Sequence, residues 1–86
     1  MTTRRTILLL EDDPNLGFVL KEHLELHGFA VDLHTNGVEG LEAVAKRRFD
    51  LCLVDVMMPK KDGFAVLEEL RQARPALPVI MLTAKG

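Results

Sequence analysis

Four short apolar runs, at Ile7–Leu10, Phe29–Leu33, Leu51–Val54 and Val79–Leu82, punctuate this chain, and a segment of helical period fills each gap between them. No other feature restricts the fold as strongly. Three of the runs are nearly continuous in apolar character, as parallel strands covered on both faces must be. The second interleaves Ala30, Asp32 and His34 with Phe29, Val31 and Leu33, which marks it as an edge strand. The order β-α-β-α-β-α-β then calls for a parallel sheet joined by right-handed crossovers, an α/β doubly wound architecture with four strands and three helices.

The intervening segments carry start and stop signals. Leu16, Val19, Leu20 and Leu24 form the apolar face of the first helix, with Asp13 as N-cap, Pro14 in the first turn and Gly28 at the end. Val38, Leu41 and Val44 repeat the pattern after the cap candidates Thr35 and Asn36. Val66, Leu67 and Leu70 give a third helix, closed by Pro75 and Pro78.

Composition narrows the function. Eleven Lys and Arg against 13 Asp and Glu leave a formal charge of −2, so there is no basic footprint for nucleic acid or an anionic membrane. The 86 residues suffice for one domain but are short for a complete two-faced α/β fold, while 48% hydrophobic residues make a packed core attainable. Cys52 stands alone and cannot form an intrachain disulfide, which fits a reducing compartment. The apolar run near the N-terminus is too short for a signal or a membrane span, and the chain reads as cytoplasmic.

The stretch "LVDVMMP" places a carboxylate, Asp55, at the end of an interior strand, where a charge is costly unless something positive meets it. In an open parallel sheet, ligands bind beyond the carboxyl ends of the strands, at the point where strand order reverses. The first strand ends in Glu11, Asp12 and Asp13 and the fourth in Thr83 and Ala84. If the first and third strands are neighbours, Glu11, Asp12 and Asp55 converge on one pocket. Such carboxylates repel one another unless a cation neutralises them, and an all-oxygen donor set suits magnesium better than zinc.

"ILLLEDDPN", "LCLVDVMMPKKDGF" and "VIMLTAKG", in this order and spacing, resemble the receiver domain of bacterial two-component response regulators along the whole chain. The resemblance implies a flavodoxin-like fold of strand order 2-1-3-4-5. It implies that Asp55 accepts a phosphoryl group from a sensor histidine kinase. Mg2+ would be held by Asp12, Asp55 and the Met57 carbonyl, with Glu11 in support. Thr83 would contact the phosphoryl group and act as a switch, while Pro59 and Gly63 would shape the loop before the third helix. Residues 1–86 correspond to the N-terminal portion of a single receiver domain, without the last helix, strand and helix of the family. The family's fifth strand carries a lysine that contacts the phosphoryl group, and Lys85 follows Thr83 too closely to be it. An output domain, of the DNA-binding winged-helix type by analogy, would lie outside this chain.

Plainer explanations apply to other residues. Asp13 is read as a helix cap rather than a ligand, Lys60 and Lys61 as a solvated loop, and Met57 and Met58 as gap-filling side chains. His23 and His27 have the i, i+4 spacing of zinc-binding pairs, but "HLELH" lacks the metalloprotease glutamate position and reads as two surface histidines.

The leading function is therefore a phosphoacceptor module, not an enzyme beyond self-phosphorylation and autodephosphorylation. A magnesium-dependent phosphatase would place a second Asp where Met57 stands. A nucleotide-binding domain would replace Glu11-Asp12-Asp13-Pro14 with a glycine-rich turn. The remaining alternative is a non-signalling structural fragment that self-associates through an exposed fourth strand, and a homo-oligomer is expected on that basis.

Overall fold

The computed structural model describes residues 4–55 and 63–82. Its elements run β1 (Thr6–Leu10), α1 (Pro14–Leu26), β2 (Ala30–His34), α2 (Gly37–Lys46), β3 (Leu51–Asp55), α3 (Gly63–Ala73) and β4 (Val79–Leu82). All strands pair in parallel, in the order β2-β1-β3-β4. The chain thus moves one way from β1 to β2 and the other way from β2 past β1 to β3. With right-handed crossovers, that reversal puts α1 on one face of the sheet and α2 and α3 on the other. The register Leu10↔Val54 sets the ends of β1 and β3 side by side.

The face under α2 and α3 holds the main core: Leu8, Leu10, Cys52 and Val54 from the strands pack with Ala43, Val44, Val66 and Leu70. Each large side chain so buried contributes about 1.5–3 kcal/mol relative to exposure. Cys52 is a free thiol in this core, and burial pushes its pKa up to about 12, which leaves it inert.

The helix starts follow the sequence. Asp13 Oδ1 accepts from the backbone N–H of Asn15 at 2.9 Å, capping α1. Asn36 Oδ1 accepts from the N–H of Glu39 at 2.9 Å, capping α2, while Gly28, at φ 93°, takes the chain out of α1 through a conformation that other residues resist.

The apolar stripes are less well matched. Leu16 is 45% exposed, Val19 60% and Val38 55%, so these three are corrected from core to surface. The buried positions include glycines instead. Gly17 lies against Leu33, and Gly40 sits so close over Leu10 that a Cβ there would overlap its methyl groups. Periodicity marks a stripe on a helix but not how much of it the sheet covers. Close helix-to-strand approach at a glycine shifts the contact line sideways.

Among the described residues, no helix is long and apolar enough to cross a membrane.

Candidate functional site

The acidic tip of β1 is built by backbone pairing. The Glu11 N–H donates to the His34 carbonyl at 3.0 Å, continuing the β1–β2 ladder one residue past the strand. Glu11 is 3% exposed and Asp55 6%, while Asp12 is partly exposed. One carboxylate oxygen from each of the three lies within 4.8 Å of the others. The convergence expected of neighbouring first and third strands is therefore present, and Asp13 stands apart as the cap.

Crowding has a consequence for Glu11. Burial, opposed by the Asp13 N–H that donates to Glu11 Oε2 at 3.1 Å, raises its pKa from 4.5 to about 7, and the hydrogen bond and charge of Asp55 add to the rise. Below about pH 7 the cluster thus retains a proton on Glu11. A divalent cation would displace it, because metal binding and protonation compete for the same oxygens. Three oxygen donors with no imidazole or thiolate among them fit a hard ion of the magnesium type. The depth of Glu11 exceeds what the sequence conveyed, where Asp12 stood first and Glu11 in support.

Met57, Pro59, Lys60, Lys61 and Thr83 lie outside the described residues, so the geometry of the site is that of Glu11, Asp12 and Asp55.

One supporting feature is not evident from the sequence. On the α2 side of β2, Asp32 Oδ2 accepts from the Arg47 guanidinium and lies 3.1 Å from His34 Nε2, while His34 Nδ1 is 3.4 Å from Glu39 Oε1. These contacts fasten both ends of α2 to β2, whose His34 carbonyl receives the Glu11 N–H. Arg47 also rests 5.6 Å from the centre of the Phe49 ring. The alternation of Asp32 and His34 in β2 was the available signal, since two polar residues on one face of an edge strand need partners.

A family model described as the response regulator receiver domain matches residues 7–86. The chain belongs to the response regulator receiver family. It is 48% identical over 85 residues to the transcriptional regulatory protein RprY of Bacteroides fragilis, a match that takes in 99% of this chain and 36% of that protein. The receiver thus spans about a third of that regulator's length. Among solved structures, the response regulator TrrA of Thermotoga maritima in complex with Mg(2+)-BeF superposes with a TM-score of 0.91 at 34% identity, covering 95% of this receiver and 71% of that chain. A complex of the histidine kinase ThkA with TrrA, from the same organism, matches at TM-score 0.89 with the same identity and coverage. The receiver fold is flavodoxin-like, as the strand order requires. Neither the fold nor these relatives support the alternative of a self-associating structural fragment.

Proposed function

We propose that this receiver is a phosphoacceptor in a two-component system and that Asp55 carries the phosphoryl group. The observation that carries the reading is the convergence of Glu11, Asp12 and Asp55 within 4.8 Å at the ends of adjacent strands. In the reaction, an Asp55 carboxylate oxygen attacks the phosphorus of a phosphohistidine on a sensor histidine kinase. A P–O bond forms, the P–N bond breaks, and the departing imidazole keeps the electron pair and takes up a proton. Asp55 is left as an acyl phosphate.

The chain's own groups prepare this step. Strand pairing fixes Asp55 beside Glu11 with little side-chain freedom left to lose. Glu11, the group whose pKa is raised, holds a proton against Asp55 and releases it when positive charge arrives. Asp12 and Asp55, with Glu11 in support and the Met57 carbonyl, would hold Mg2+, which when bound offsets the negative charge of the carboxylates and of the incoming phosphoryl oxygens. Thr83 would hydrogen-bond a phosphoryl oxygen. The TrrA complex with Mg(2+)-BeF and the kinase–TrrA complex support the same cofactor and partner here. So framed, the domain is a stoichiometric acceptor rather than a turnover enzyme. It would be cytoplasmic and would act on a transcriptional output domain, in keeping with its likeness to RprY.

Intact-protein mass after incubation with Mg2+ and a small-molecule phosphodonor tests this. One added phosphoryl group on the parent and none on Asp55→Asn is expected. A folded parent that gains none, or an Asn variant that gains as much, overturns the assignment.

A further inference from the structure

At the far end of α1 from the acidic cluster, His23 and His27 stand exposed on one face of the helix. Their ring centroids are 4.8 Å apart and the planes are tilted by 48°. Ten residues separate Asp13 from His23, about 15 Å along a helix, so the pair is a separate locus from Glu11, Asp12 and Asp55. We propose that His23 and His27 form a two-imidazole chelate for a borderline divalent transition metal, Zn2+ being the ion we would test.

Three observations take the pair beyond its i, i+4 spacing. The two ring centroids are only 4.8 Å apart, so both imidazoles already occupy one small region of the helix surface. His27 Nδ1 lies 3.0 Å from the His23 carbonyl oxygen. A carbonyl can only accept, so Nδ1 carries the hydrogen and the lone pair of that ring is on Nε2, in the arrangement that orients histidine ligands in metal sites. The pair also sits on the last turn of α1, with His27 as its C-cap. The partial negative charge of a helix C-terminus favours a cation there.

The donor type selects the ion. Imidazole nitrogen suits zinc, nickel and copper and is a poor ligand for magnesium, so the histidine pair and the acidic cluster at the strand ends would divide borderline and hard metals between them. Both side chains are exposed, so water or a carboxylate from another molecule can complete the coordination shell.

Isothermal titration with Zn2+, in millimolar Mg2+ to keep the carboxylates occupied, tests the site. The parent should bind one equivalent. His23→Ala and His27→Ala should each lose at least about tenfold in affinity, since the second ligand acts at high effective concentration once the first is bound. His34→Ala should leave the affinity unchanged. The imidazole nitrogen resonances should show Zn2+ at His27 Nε2 and not at Nδ1. Circular dichroism serves as the folding control, and both variants should pass because both side chains are exposed. A parent without a site, variants that bind as well as the parent, or a loss of affinity confined to His34→Ala overturns the proposal.

Discussion

Along β1 the chain passes from Ile7, Leu8, Leu9 and Leu10, each at most 2% exposed, to Glu11, which is as deeply buried at 3% and carries a carboxyl group. Glu11 continues the same hydrogen-bond ladder one residue past the strand, at nearly the same depth, yet the energetics have opposite sign. Removing the leucines from water stabilises the fold, whereas bringing Glu11 beside Asp12 and Asp55 costs stability until a proton or a cation neutralises them. Burial is thus no guide to what a residue contributes. The interior of β1 is there for the fold, and the tip is held in an unfavourable state that a ligand can relieve.

The contrast can be broken first on its apolar side. Leu10→Ala should cost about 2–5 kcal/mol, read as a fall in the urea midpoint, because Leu10 is fully buried against α2 and the site has little room to collapse. A loss under about 1 kcal/mol would mean that the strand interior does not anchor the fold.

The tip should respond to pH in the opposite sense from an ordinary ion-paired carboxylate. Folded Glu11 keeps its proton up to about 7, and the unfolded chain releases it near 4.5. The folded state therefore binds more protons between those values. The stability this group contributes is complete below about 4.5 and is lost as pH rises through about 7, by at most about 3 kcal/mol. Urea titrations of the parent and of Glu11→Gln in chelator-treated buffer, at pH values either side of this window, measure it. The parent should lose stability toward alkaline pH and the variant should lose distinctly less; parallel curves would place the effect elsewhere.

Gly40→Ala sharpens the comparison from the helix side. The added methyl would overlap Leu10, and a cost of about 1–3 kcal/mol in chemical denaturation is expected even though alanine is the better helix former. A stabilised variant would contradict the close approach of α2 to β1.

The smallest change separates cap from ligand at the boundary. Asp13→Ala should cost about 1 kcal/mol in thermal denaturation through the lost α1 cap while leaving the response to Mg2+ intact. An abolished Mg2+ response would move Asp13 into the metal site.

Much of this was legible from residue order alone. The four strands, three helices and edge position of β2 follow from apolar runs and caps, while the pairing of β1 with β3 comes only with the strand order that the family resemblance implies. The convergence of Glu11, Asp12 and Asp55 follows from strand ends meeting at a reversal. Three aspects were not legible. Leu16, Val19 and Val38 fall on the expected stripes but face outward, since periodicity does not report where the covering sheet stops. The close approach at Gly40 needs the packed helix to be seen, although a glycine inside a helix is a usable hint, being costly unless packing requires it. The ranking of Glu11 over Asp12 in depth needs the packed structure: alternation puts Glu11 on the Leu9 face, and there it lies under α1 close to Gly17.

The β1–β3 tip is, in this view, an acidic cluster kept unfavourable for the sake of a cation. Thermal melting of the parent and Asp55→Asn at pH 8, each with and without Mg2+, probes that cluster without intermediaries. The metal-free variant should melt above the metal-free parent, Mg2+ should raise the parent's Tm, and Mg2+ should leave the variant nearly unmoved. A parent indifferent to Mg2+, together with a variant less stable than it without metal, would show instead that the carboxylates support the fold.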